Sequence, residues 1–278
     1  MANPANNPLF KHFRQPSIYL KLPSGGQYWD DDAIDLPTSG EIPIYPMTVK
    51  DEIILKTPDA LMNGEGMIKV IESCCPNIKD AWKIPVCDLD PILISMRLAS
   101  YGNDMDIRSI CPKCDEANEN VLDLSLLLDN YKMPSYGSIK LNKLTVTFKP
   151  QYFATLNKAN LVAYEQQRLL NIIGSSDLTE EQKSTEFNKI LPKITEMNVE
   201  NIIASLFSIT TEDGTVVKEE RFIREFIDNC ERKTYDAIKT KIEEESINNR
   251  IEPVQINCVS CEHEYKSTLN FENSNFFG

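Results

Sequence analysis

Cys111-Pro-Lys-Cys114 and Cys258-Val-Ser-Cys261 are the two stretches that decide how this chain folds. Each places two thiols at the spacing that holds one half of a tetrahedral Zn²⁺ site. If all four cysteines bind one ion, the last part of the chain must fold back onto its middle. The spacing therefore predicts a structural zinc site with the ligands Cys111, Cys114, Cys258 and Cys261. Because four thiolates complete the coordination shell, such a site leaves no open position for a substrate.

The alternatives to zinc binding are coincidence and redox chemistry at the first cysteine pair. That pair resembles a thioredoxin-type motif, which lies where a strand meets the N-terminus of a helix. Here residues 104–110 and 118–127 both have the pattern of strands, so we expect the pair at the tip of a β-hairpin. His263, two residues after Cys261, is an alternative ligand, although the four cysteines complete the shell without it.

Composition and charge exclude several classes of protein. The 278 residues, 41% hydrophobic and 26% charged, fit a soluble globular protein of one large or two modest domains. A net charge of −13 argues against a general nucleic-acid binder, which needs a basic surface. No apolar run is long enough to cross a membrane, and residues 1–8 lack the apolar segment of a signal peptide. We therefore expect reduced thiols in a cytosol.

The order of apolar patterns along the chain predicts an α+β fold with a helical insertion. Residues 1–15 form a flexible arm, and residues 16–150 together with 250–278 form a small mixed β core. In this core, two hairpin knuckles build a zinc-ribbon-like four-cysteine site. Residues 151–249 form a large α-helical insertion, with helical spacing over 152–173, 198–209 and 218–247. Within the core, residues 18–22 have the pattern of an edge strand, a helix is expected to begin at Asp90, and residues 139–148 are expected to form a hairpin.

The other candidate chemical groups favour packing over catalysis. Cys74, Cys75, Cys87 and Cys230 fit buried or half-buried positions, where free cysteine packs as a small hydrophobe. The acidic clusters 30–32, 88–90 and 243–245 are typical of solvated faces or helix caps. The chain has two histidines, no phosphate-binding glycine loop and no nucleophile elbow. We therefore expect neither an enzyme nor a small-molecule substrate.

Several stretches resemble a known family. They are Ile18-Tyr-Leu-Lys-Leu-Pro-Ser-Gly-Gly-Gln-Tyr28, Ile42-Pro-Ile-Tyr-Pro-Met-Thr-Val-Lys-Asp-Glu-Ile-Ile-Leu55, Thr57-Pro-Asp-Ala-Leu-Met-Asn-Gly64, Asp90-Pro-Ile-Leu-Ile-Ser-Met-Arg-Leu-Ala-Ser-Tyr-Gly102, Cys111-Pro-Lys-Cys114 and Asn270-Phe-Glu-Asn-Ser-Asn-Phe-Phe-Gly278. Together they resemble the baseplate hub assembly proteins of T4-type contractile-tailed bacteriophages. The matches cover about the first 130 and the last 25 residues, and the helical segment 152–247 is not among them.

The resemblance implies a non-enzymatic role in building a phage baseplate. The chain would be a chaperone-like assembly factor or a minor hub component, and its partners would be other baseplate hub or tail proteins. It would act in the host cytoplasm during assembly or remain in the virion baseplate. Two alternatives stay open: a permanent structural subunit of the virion, and a zinc-ribbon module that contacts nucleic acid or a transcription complex. The net charge disfavours the last of these.

Overall fold

The structure is a computed structural model with a mixed α/β fold. It describes residues 7–57, 64–129, 131–175, 179–249, 251, 253–267 and 276–277. The α-helices are α1 (Val49–Leu55), α2 (Glu65–Cys74), α3 (Val86–Tyr101), α4 (Leu124–Asp129), α5 (Phe153–Ser175), α6 (Glu180–Ala204), α7 (Glu220–Asn229) and α8 (Arg232–Asn248). The strands are β1 (Ile18–Lys21), β2 (Glu41–Ile44), β3 (Asp104–Ile110), β4 (Ala117–Asp123), β5 (Ser138–Leu141), β6 (Leu144–Phe148), β7 (Leu206–Thr210), β8 (Val216–Val217), β9 (Val254–Asn257) and β10 (Glu264–Ser267).

All the strand pairs are antiparallel. β1 pairs with β2, β3 with β4 and β9 with β10, each as a two-stranded sheet. The fourth sheet has the order β5-β6-β7-β8, so β7 joins a hairpin that lies far before it in the chain. The predicted hairpin over 139–148 is confirmed. The predicted helix over 198–209 is wrong after Ala204, because the apolar run that follows pairs with β6 as strand β7. Periodicity alone does not separate such a short buried strand from a helix.

The first hydrophobic core surrounds α3. This helix is apolar on nearly every side, as expected of a helix that is covered all round. Its fully buried side chains include Ile92, Ile94 and Met96. α2, the β1–β2 pair, α4, Ile256 of β9, and Phe276 with Phe277 pack in the same core. The sequence pattern placed the start of α3 at Asp90, whereas the helix begins at Val86.

The second hydrophobic core lies between the four-stranded sheet and the helices α6, α7 and α8. Its buried residues are Val146, Phe148, Ile202, Ile203, Leu206, Ile209, Ile223, Ile227 and Ile238. Ile139 and Leu141 of β5 pack against it, so this strand belongs to the second core although it precedes the predicted insertion. The bounds 16–150 with 250–278 for a core and 151–249 for an insertion stay a prediction.

Some predicted features fall partly outside the described residues. These are the start of the arm at 1–6, the stretch 58–63, and the end of the chain at 268–275 and 278. Within the predicted arm, Arg14 is anchored: its Nη1 donates to the carbonyl oxygen of Pro46 at 2.6 Å and pairs with the Asp51 carboxylate at 3.3 Å. Among the described helices, none combines the length and hydrophobicity that a bilayer span requires.

Candidate metal centre

Two antiparallel hairpins bring the four cysteines together. The turn between β3 and β4 holds Cys111 and Cys114, and the turn between β9 and β10 holds Cys258 and Cys261. The first cysteine pair thus lies at a hairpin tip, as predicted, and not at the start of a helix. Tyr265 of β10 joins the two hairpins, because its hydroxyl lies 2.7 Å from the Ser109 hydroxyl on β3.

The two cysteine turns share one backbone geometry, and we call each of them a knuckle. In the first, the Asp115 N–H donates to the carbonyl oxygen of Cys111 at 3.0 Å. In the second, the Glu262 N–H donates to the carbonyl oxygen of Cys258 at the same distance. Asp115 and Glu262 each follow the second cysteine and adopt a positive φ, 57° and 54°. Because non-glycine residues seldom adopt this conformation, its recurrence at equivalent positions marks two copies of one local structure.

The four sulfur atoms lie close enough together to be ligands of one ion. The ligand atoms of Cys111, Cys114, Cys258 and Cys261 all lie within 4.8 Å of one another. Cys111 Sγ is 3.7 Å from Cys261 Sγ, and Cys114 Sγ is 3.6 Å from Cys258 Sγ. A tetrahedral zinc ion with Zn–S bonds of about 2.3 Å separates its sulfurs by about 3.8 Å. All four are free thiols, so the donor set is compatible with a metal ion that prefers sulfur.

Asn118 supports the site from β4, although no sequence pattern marks it as part of a site. Its side chain is buried and reaches the second knuckle. The amide Nδ2 lies 3.7 Å from Cys258 Sγ, and the Val259 N–H donates to Oδ1 at 2.9 Å. Nδ2 also donates to the carbonyl oxygen of Glu116 at 3.0 Å. A buried asparagine two residues into a strand has no distinctive spacing, so only the structure reveals that it ties one knuckle to the other.

The pKa values of two facing thiols move in opposite directions. Burial raises the pKa of Cys258, but N–H groups of its own knuckle, with Cys114 and Asn118, bring it down to about 6. A backbone N–H lowers the pKa of Cys114, whereas its hydrogen bonds to the other three thiols raise it to about 12. Cys258 is therefore the more acidic thiol of this pair and Cys114 the less acidic one. A bound cation would lower the pKa of all four thiols and favour their deprotonated form.

His263 does not join the four sulfurs. Its ring stacks against Tyr265, with the ring centroids 6.4 Å apart and the planes inclined by 14°. Its backbone carbonyl accepts a hydrogen bond from the Cys258 N–H at 3.0 Å, which makes it part of the knuckle's backbone. Within the described residues, the candidate site consists of the four cysteines alone.

The remaining cysteines are apart from the site. Cys74, Cys75 and Cys87 are buried, and Cys230 is half-buried. Burial raises the pKa of Cys74 to about 12 and also raises the pKa of Cys75 and of Cys87. Thiols that stay protonated in this way are poor nucleophiles and poor ligands. Their positions agree with the predicted packing role.

Two residues of the acidic clusters, which we expected on solvated faces or at helix caps, are buried instead. Asp88 on α3 accepts hydrogen bonds from the Ser24 N–H at 2.9 Å, from the Ser24 hydroxyl and from Trp29 Nε1 at 2.7 Å. It thereby fixes the turn after β1 to the central helix. Glu245 on α8 accepts from the Gly137 N–H at 3.3 Å and pairs with Lys241 at 2.9 Å. Both carboxylates have protein donors, which explains how the fold tolerates their burial.

Comparison with known protein families identifies a matching family model. The model of a family described as T4 bacteriophage base plate protein matches residues 15–278. The match includes both knuckles, both hydrophobic cores and the helices between them. The comparisons with curated proteins and with solved structures gave no significant match.

Proposed function

Because this chain belongs to the T4 bacteriophage base plate protein family, we propose that it helps to assemble the central hub of a phage baseplate. In this proposal the chain is a chaperone-like factor or a minor hub component, and it takes part in assembly without catalysing a reaction. The observation that carries the proposal is the family match over residues 15–278. The partners are other baseplate hub or tail proteins, and the place of action is the host cytoplasm during assembly.

The architecture supports a binding role. The net charge of −13 favours association with basic partner surfaces and disfavours self-association by electrostatics. The candidate metal centre has no open coordination position, which fits a structural site better than a catalytic one. The long helices α5 and α6 also provide a large surface, because no side chain described in residues 153–195 is fully buried.

Quantitative mass spectrometry tests the proposal against that of a permanent virion subunit. The chain would be compared with known baseplate proteins in purified virions and in infected-cell lysate. An assembly factor is abundant in the lysate and scarce in the particle, and a minor hub component is present at a few copies. A copy number equal to that of the symmetric baseplate subunits would overturn the proposal in favour of the permanent subunit.

For the metal centre, we propose one structural Zn²⁺ ion held by Cys111, Cys114, Cys258 and Cys261. The support is the separation of the sulfurs, all within 4.8 Å, and the duplicated knuckle geometry. The ion would tie the β9–β10 hairpin to the β3–β4 hairpin and so complete a zinc-ribbon-like unit. Elemental analysis of the purified chain tests this, with one zinc per chain expected and less than one-tenth contradicting it.

A further inference from the structure

The helices α5 and α6 form an antiparallel hairpin, and its ion pairs lie on one side. Lys158 pairs with Glu200, and Lys193 pairs with Glu165 at 3.1 Å. From the first pair to the second, the residue number rises by seven on α5 and falls by seven on α6. Seven residues are almost two full turns of a helix, so both pairs lie on the same side of the hairpin.

Six residues on the opposite side of the hairpin are uncharged and exposed. They are Ala163, Gln167 and Leu170 on α5 and Asn188, Leu191 and Thr195 on α6, and we call them the uncharged face. Their spacing of three and four residues places each set on one side of its helix. Leu170 lies about 140° around α5 from Glu165, and Leu191 lies about 160° around α6 from Lys193. Both leucines therefore point away from the ion pairs.

Leu170 and Leu191 form the apolar centre of the uncharged face. Their side chains are 43% and 41% exposed. The alignment that pairs residue 158 with 200 and residue 165 with 193 also places residue 167 opposite Leu191. Leu170 is therefore about 4.5 Å further along the hairpin, which is less than one helical turn. A contact that covers either leucine can cover both.

The hairpin also differs from the rest of the chain in its charge. Residues 153–195 contain five basic and five acidic residues, so their net charge is zero. The net charge of −13 therefore comes entirely from the remainder of the chain. Electrostatic repulsion opposes contact between two copies of the chain over that remainder, and it is weakest at the hairpin.

The uncharged face is chemically complementary to itself. In a contact with two-fold symmetry the same patch faces its own copy, so each residue type must be able to meet its own kind. Leucine packs against leucine, and glutamine, asparagine and threonine each donate and accept hydrogen bonds. A face with charged residues would instead place like charges together. We propose that the uncharged face binds the same face of a second copy of this chain, so that two hairpins form a four-helix bundle.

Sedimentation equilibrium of the full-length chain, at concentrations up to about 200 µM, tests this proposal. The wild-type chain should show an equilibrium between monomer and dimer. The variant with Leu170→Lys and Leu191→Lys should dimerise at least tenfold more weakly, because the lysines of the two copies face one another. Both leucines are exposed, so the circular dichroism spectrum should remain that of the wild type.

A matched control adds the same charge outside the hairpin. The variant with Val216→Lys and Ile247→Lys changes two residues that are 53% and 72% exposed, and it should dimerise as the wild type does. A wild-type chain that stays monomeric at every concentration overturns the proposal and leaves the uncharged face to a different protein. Dimerisation that is equally strong in the Leu170 and Leu191 variant also overturns it, because the copies then meet elsewhere.

Charge reversal tests whether the two faces meet each other. A second variant carries Leu170→Glu and Leu191→Glu, and alone it should be as weakly associated as the lysine variant. An equal mixture of the two variants should form a heterodimer, because lysines of one copy then face glutamates of the other. Native mass spectrometry identifies the heterodimer by its mass. A mixture that contains only monomers would show that the two faces do not pack together and would overturn the proposal.

Discussion

The cysteine-bearing hairpins and the second hydrophobic core hold distant parts of the chain together by different means. The hairpins β3–β4 and β9–β10 meet at four sulfur atoms, an asparagine and a tyrosine–serine contact. The second core joins β6 to β7 and to three helices through nine buried apolar or aromatic side chains, and β5 packs against them. The first junction depends on a few specific sulfur atoms and hydrogen-bonding side chains. The second depends on the total apolar surface removed from water. Loss of a metal ligand from the first junction should therefore be at least as damaging as loss of one apolar side chain from the second.

Metal removal is expected to have the largest effect. Cys258→Ser removes a thiolate ligand, and a strong chelator removes the ion. Either change should free residues 254–267 from the β3–β4 hairpin. The ion closes the loop between Cys114 and Cys258, and from the entropy of closing a loop of that length its loss should lower the free energy of unfolding by roughly 4–5 kcal/mol. Hydrogen exchange measures the protection of the backbone amides of β9 and β10. The control is Cys230→Ser, at a half-buried thiol outside the site. Unchanged protection of β9 and β10 would show that the metal does not hold them.

A cavity in the second core should have the next largest effect. Ile238 on α8 is fully buried, and Ile238→Ala should cost about 2–5 kcal/mol through lost burial and the cavity left behind. Ile247→Ala is the matched control on the same helix, because Ile247 is 72% exposed. Denaturant unfolding gives the free energies. Loss of metal from the Ile238 variant under native conditions would mean that the two junctions are not independent.

Removal of the asparagine that joins the knuckles should weaken metal binding without abolishing it. Asn118→Ala deletes the acceptor of the Val259 N–H and the donor to Cys258 Sγ. Such supporting contacts typically account for 10–100-fold in metal affinity. Asn120→Ala is the control, since Asn120 Nδ2 has no hydrogen-bond partner among the described residues. Competition with a chromophoric chelator measures the affinity, and equal values for both variants would remove Asn118 from the site.

The smallest effect is expected at the carboxylate that borders the second core. Glu245→Gln weakens the pairing with Lys241 and the bond from the Gly137 N–H, so it should cost about 1 kcal/mol. Glu243→Gln, at an exposed position on the same helix, should change the unfolding free energy by less than half of that. If the two variants are equally stable, the buried ion pair adds nothing to this junction.

The contrast also explains what the sequence could predict. Cys-x-x-Cys spacing is a chemical signature, and it predicts that residues 111–114 meet residues 258–261 across about half of the chain, as they do. Local patterns similarly predicted β1, the β3–β4 pair and the β5–β6 hairpin. The family resemblance, stated from residues near both ends, is confirmed over residues 15–278.

The second core was not predictable in the same way. The type of an apolar residue does not indicate which residues it packs against. Nothing in the run 198–209 therefore shows that it changes from helix to strand and pairs with β6. Asp88 and Glu245 belong to acidic clusters that are typical of solvated faces or helix caps, and only the packing around Ser24 and Gly137 explains their burial. The role of Asn118 depends likewise on a neighbour 140 residues away.

The metal content of the native chain tests the central claim most directly. Purified without added metal and analysed by native mass spectrometry, the chain should carry one zinc ion. The variant with Cys258→Ser and Cys261→Ser should carry none, and Cys230→Ser should keep its ion. A wild-type chain at its apoprotein mass, with Cys111, Cys114, Cys258 and Cys261 open to alkylation in the folded state, would contradict the claim that a metal ion joins the two hairpins.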